Sequence, residues 1–158
     1  YNTNNYGFTD ESLNRGTIFE KSVIFLNSPI EYVVGHGLGS GNISSFFYTD
    51  VFEIYKRTCY GFFTMSYLLI EVGYVGLILF IMTHVLLLYR FWLFNKMKDK
   101  VVKYWAAMGI LVTGATFLMI YYNSVPLTNY YLGYLFWAMC FLGIKERIRK
   151  LNQERNRG

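Results

Sequence analysis

Three long stretches of the chain are nearly unbroken runs of apolar residues, at about residues 66–89, 104–122 and 127–144. Each approaches the roughly 20 residues that cross about 30 Å of hydrocarbon at about 1.5 Å per residue, and the third is the shortest. The pattern predicts three transmembrane helices. Ahead of them, residues 17–27 (TIFEKSVIFLN) space Ile18, Val23, Ile24 and Leu26 as a short amphipathic helix that ends near Pro29. Residues 49–60 set Val51, Phe52, Ile54, Tyr55 and Cys59 against Asp50, Glu53, Lys56 and Arg57, which suits an interfacial helix capped by Thr49. Between these two lies IEYVVGHGLGSGN, an apolar run that breaks into four glycines. The chain therefore reads as an all-α polytopic membrane protein. An extracytoplasmic segment with short interfacial helices (1–60) precedes a three-span membrane region (61–144) and a basic cytoplasmic tail (145–158).

Composition agrees: 54% of residues are hydrophobic, 20% aromatic and only 16% charged, far from a soluble domain of 158 residues. The chain opens on Tyr1 with polar residues, and no basic segment followed by an apolar core marks a signal peptide. It is expected to be the C-terminal piece of a longer protein.

Charge sets the orientation. Arg90 and the NKMKDKVVK loop carry five cations against Asp99, and the tail carries six against two glutamates, while the NSVPLTN loop is uncharged. Cations collect on the cytoplasmic side, so the basic loop and tail are expected inside and NSVPLTN outside. Three crossings then put residues 1–60 outside, where four cations face six carboxylates. Aromatic residues band both ends of the first span, with Tyr60, Phe62, Phe63 and Tyr67 at one and Tyr89, Phe91, Trp92 and Phe94 at the other. Basic runs that flank spans are topology signals, and nucleic acid is not expected as a partner.

Within the spans, Gly73 and Gly76, then Gly109, Thr113 and Gly114, offer small faces on which neighbouring helices can pack. His84 lies in mid-span, where a polar ring faces a bundle interior or a cavity, and with no second ionisable residue within a few turns it reads as structural before it reads as a proton relay. Cys59 and Cys140 fall at opposite membrane levels and do not pair. No D-x-D, H-E-x-x-H or Cys/His cluster stands outside the spans, so no metal or cofactor is expected.

The loop at residues 35–40, GHGLGS, looks like a dinucleotide fingerprint, but Ser40 holds the place of its last glycine and no βαβ unit follows. Gly35, Gly37 and Gly39 can instead turn backbone N–H groups toward an anion, or simply form a tight turn at the membrane surface. Glu71 shares a helix face with Thr64, Tyr67 and Tyr74, a polar stripe able to line a cavity.

An arginine, then a G-x-G-x-G loop about twenty residues on, then a helix reading roughly S-Y-L-x-x-E-x-G-x-x-G-L, resembles the C-terminal part of the O-antigen ligase and polymerase family. The matching elements are Arg15, residues 35–39, residues 66–68, Glu71, Gly73, Gly76 and Leu77. The resemblance implies a multi-pass glycosyltransferase of the bacterial inner membrane that moves glycans from undecaprenyl-diphosphate carriers on the outer face. Its partners would be that glycan, membrane lipid and a chain-length regulator. The ligase branch carries a histidine eleven positions before the first glycine of G-x-x-G, where this chain has Phe62. That departure points to a repeat-unit polymerase, with the ligase and a lipid-linked glycan flippase or transporter as the alternatives.

Such a reaction needs a group to accept the proton of the attacking hydroxyl and cations to hold the departing diphosphate. Glu71 and His36 are the catalytic candidates. Arg15 and Arg57, with Gly35, Gly37 and Gly39, are the diphosphate-binding ones, because an arginine fork grips phosphate through two bonds and stays charged.

Overall fold

The computed structural model describes residues 21–42, 50–55, 60–128 and 130–156, and every regular element among them is helical. Two short 3-10 turns, Val23–Phe25 and Tyr60–Phe62, accompany six α-helices: α1 (Pro29–Val34), α2 (Asp50–Tyr55), α3 (Thr64–Asn95), α4 (Lys100–Tyr122), α5 (Val125–Thr128) and α6 (Tyr131–Arg155). α3 and α4 are long and apolar enough to cross a membrane. Only 17% of the most apolar stretch of α3 and 28% of that of α4 is buried, whereas the central helix of a soluble domain would be covered by its neighbours.

Two expectations change in the first part of the chain. Pro29 does not end a helix; it starts one. The Ser28 side chain accepts from the Glu31 N–H at 3.3 Å, and the Glu31 carboxylate accepts from the N–H groups of Ser28 (3.3 Å) and Asn27 (2.6 Å). With proline in the first turn, where no N–H is needed, this is a complete capping box for α1. The Asn27 N–H foremost, then Ser28 and His36, hold the Glu31 carboxyl below its usual range. Of the expected 17–27 helix, residues 17–20 lie outside the described residues and a 3-10 turn stands at Val23–Phe25. α2 covers the middle of the expected 49–60 helix, and Thr49, Lys56, Arg57 and Cys59 lie outside the described residues.

The third apolar stretch also differs. α5 takes up its beginning, and α6 starts at Tyr131 and meets charge at Lys145. Its apolar part is therefore about 21 Å long, less than α3 or α4 offers.

The chain divides into two compact units. One contains residues up to Ile81 together with Met119–Thr128, and the other contains Met82–Leu118 and the residues from Asn129 onward. In the first, Leu26, Leu69 and Leu77 form one apolar cluster and Phe25, Tyr60 and Ile70 another. The hydroxyls of Ser22 and Ser66, both buried, hydrogen-bond each other, and Thr64 donates to the Asn123 carbonyl.

In the second unit, Phe91, Val102, Ala106, Trp137, Cys140 and Ile144 form the core. A Cβ at Gly109 would fall 2.5 Å from the Phe91 ring, so Gly109 is a packing face as expected; at Gly114 nothing lies within 4 Å. Buried His84 meets the rings of Phe117 and Trp137 edge-on, at 6.0 and 5.4 Å between centroids. Trp137 Nε1 donates to Thr113 Oγ1 at 3.1 Å, and the hydroxyls of Thr116 and Tyr130 are hydrogen-bonded. Cys140 is a free, buried thiol.

Asp99 closes this unit at one end. Its Oδ1 caps α4 by accepting from the N–H groups of Val101 and Val102, both at 3.0 Å, and its Oδ2 accepts from Arg147 Nε and Nη2 at 3.1 and 2.9 Å. The Arg147 guanidinium, and then the Val102 N–H, hold the Asp99 carboxyl below its usual range. A carboxyl depressed by folding stabilises the fold above its unfolded pKa, and that contribution disappears as pH falls through the folded value. Thermal melts in detergent should therefore separate wild type from Asp99→Asn at neutral pH, and the two curves should converge below about pH 4. Equal melting temperatures at neutral pH would refute the clasp.

Candidate functional site

The site begins with a break in α3. Gly73 has φ 62° and ψ −165°, far from helical values and in the left-handed region that favours glycine. A Cβ there would sit 2.5 Å from the Val33 carbonyl oxygen and 2.6 Å from the Gly35 nitrogen. Gly76, expected to receive a neighbouring helix, instead faces Val72 of its own helix.

The break leaves carbonyls of the preceding turn without their partners four residues on. The glycine loop replaces two of them: the N–H of His36 donates to the Ile70 carbonyl at 2.8 Å and that of Gly37 to the Glu71 carbonyl at 2.9 Å. Close approach requires glycine here too. Gly35 has φ 70°, and a Cβ on it would lie 2.4 Å from the Glu71 carbonyl carbon. At Gly37 (φ 103°) and Gly39 (φ 85°) the backbone again favours glycine, although nothing lies within 4 Å of an added Cβ.

The loop and the break together enclose Glu71, which is 5% exposed. Its Oε1 accepts from the Gly41 N–H at 3.2 Å, and the Tyr67 hydroxyl hydrogen-bonds the same carboxylate. The Tyr60 hydroxyl donates to the Gly41 carbonyl at 2.5 Å, so Gly41 is held through both its N–H and its carbonyl. Burial, and then the nearby Glu71 carboxylate, pushes the Tyr60 hydroxyl pKa up to about 12. Among the described residues these partners occupy two of the roughly four acceptor positions of the carboxylate.

The other candidates are placed differently. The His36 backbone is tied to the break, but its ring turns away from the Glu71 carboxylate: Nε2 lies 3.0 Å from the Phe25 carbonyl oxygen and 3.7 Å from Glu31 Oε2. A carbonyl only accepts, so Nε2 carries the proton. The N–H groups of Gly35 and Gly37 are committed to carbonyls of the chain, Gly35 to Glu31 at 2.8 Å. Those of Ser40 and Asn42 bond within the loop. Of the stripe expected beside Glu71, Tyr67 joins it, Thr64 bonds Asn123, and Tyr74, beyond the break, stacks on Tyr32 with centroids 6.5 Å apart. Arg15 and Arg57 lie outside the described residues. Among the described residues no group of three His, Cys, Asp or Glu side chains is placed to hold a metal ion.

Sequence reasoning missed Tyr60 and Gly41, which read as an aromatic-belt residue and the last of four loop glycines. It also missed Glu31, although S-P-I-E is a capping-box sequence. Comparison with family models, with curated proteins and with solved structures finds no match to this chain.

Proposed function

We propose that the chain is part of a multi-pass glycosyltransferase of the bacterial inner membrane. It would join undecaprenyl-diphosphate-linked repeat units into O-antigen or capsular polysaccharide on the outer face. The observation that carries this reading is the Glu71 carboxylate, enclosed at a break in an apolar helix and held by Gly41 and Tyr67. An intramembrane carboxylate is costly unless it has work to do, and accepting the proton of a sugar hydroxyl is work suited to it. Arg15 and Arg57 would hold the diphosphate, as the resemblance implies.

Three crossings fit the second unit. Tyr130 with Thr116, Trp137 with Thr113, Gly143 with Trp105 and Arg147 with Asp99 pair α6 antiparallel to α4. That pairing continues for about 25 Å, so α6 would traverse the layer that α4 traverses. Together with the positive-inside asymmetry, this supports an outer position for residues 1–60, the glycine loop and Glu71.

One observation favours a second reading. Helices broken beside a buried charged group are characteristic of transporters, so a lipid-linked glycan flippase is the alternative. Deleting the gene separates these activities, as well as a ligase, by what accumulates. Loss of a polymerase leaves single repeat units transferred to the lipid acceptor, which is the expected result. Long glycan stranded on the carrier would mean a ligase, and repeat units trapped on the inner leaflet would mean a flippase; either overturns the polymerase reading.

A further inference from the structure

The segment that seals the α3 break has a second face. On α1, Ile30, Val33 and Val34 are 73%, 50% and 53% exposed, and at spacings of three and four residues they form one stripe. Leu38, at the tip of the glycine loop, continues the stripe at 84% exposed. Single exposed apolar residues are ordinary, but a contiguous set marks a surface that something covers.

Three observations identify the cover as lipid. The segment is docked beside the apolar outside of α3: Tyr32, on the side of α1 opposite the stripe, stacks on Tyr74, and the neighbouring Val75, Ile78 and Leu79 are themselves exposed. Its depth agrees: from Tyr74 to Leu88, the last apolar residue before Tyr89 and Arg90, α3 runs unbroken for about 22 Å of the roughly 30 Å hydrocarbon layer. The break, and the loop held by the Ile70 and Glu71 carbonyls, then fall toward the outer part of that layer. The backbone of the segment is also provided for. The N–H groups of Gly35, His36 and Gly37 are all bonded, as backbone near hydrocarbon must be, and the partly exposed Glu31 carboxylate accepts from the Asn27 and Ser28 N–H groups.

We propose that α1 and the glycine loop are seated in the interfacial layer of the bilayer, with Ile30, Val33, Val34 and Leu38 against the acyl chains. The glycine loop then lies at the membrane surface.

Spin labels test the seating in the full-length protein reconstituted in vesicles. Ile30→Cys and Leu38→Cys would be made in a Cys59→Ser, Cys140→Ala background, with Ile78→Cys as the lipid-facing reference and Lys98→Cys as the aqueous one. Leu38 is so exposed that labelling costs it little packing. Both test labels should collide readily with oxygen, as at Ile78, and at least about threefold less often than Lys98 with a water-soluble nickel chelate. Nickel collisions closer to the Lys98 value would place the stripe in water. Low collision with both reagents would mean that protein covers it. Either result overturns the proposal, and neither depends on which glycan reaction the protein carries out.

Discussion

Glu71→Gln is expected to abolish polymer while the protein remains in the membrane at its normal level. Glutamine keeps the length and shape of the side chain, and its carbonyl oxygen can still accept from Gly41, so the loop stays closed on the break. What is lost is the ability to take up a proton and the negative charge beside Tyr60 and Tyr67. General-base assistance contributes about 10²–10⁴-fold to a rate, and the loss should fall in that range. The Tyr60 hydroxyl should also titrate below its wild-type value, since the neighbouring carboxylate contributes to raising it. Measured on polymer length and amount at matched protein level, a variant retaining more than about a tenth of wild-type output would remove Glu71 from the chemistry.

The second large effect is structural. Gly73→Ala and Gly35→Ala should each prevent the loop from docking on α3, because the added methyl meets main-chain atoms at 2.4–2.6 Å that cannot move aside. To that overlap is added the cost of a left-handed conformation, and together they come to roughly 3 kcal/mol or more each. Gly37→Ala is the internal comparison. Its φ is also positive but its surroundings are empty, so only the conformational cost of about 1–2 kcal/mol applies. Melting temperature in detergent, or protease resistance of the loop, should rank wild type above Gly37→Ala and Gly37→Ala above the other two. Equal losses at all three positions would show that the close approach is unimportant.

Much of the helical architecture was legible in the sequence because long apolar runs bounded by charge leave few alternatives. The expected runs at 66–89 and 104–122 lie inside α3 and α4, which extend up to six residues beyond them, and Glu71 stands out as a charge inside one of them. The break was not legible. Spacing alone makes Gly73 and Gly76 look alike, and only the approach of Val33 and Gly35 distinguishes them. Pro29 was misread for a related reason: proline stops a helix from within but suits its first turn, and the deciding residues are Ser28 and Glu31 on either side. The glycine loop was recognised as able to present N–H groups, but not where they point. Carbonyls released by a distant glycine claim two of them, and no local pattern announces that.

The order in which the molecule assembles follows from this joint. Without the loop, residues 64–95 are a largely apolar sequence for which helical geometry at residue 73 is the local default, and such a helix forms from neighbouring contacts. The bent form needs His36 and Gly37 to reach Ile70 and Glu71, across a separation of 34 residues. That closure carries the entropy of a long loop before any contact is made, so it comes after the helix. Covering Glu71 therefore depends on a contact made 34 residues away along the chain, and α3 alone does not enclose it.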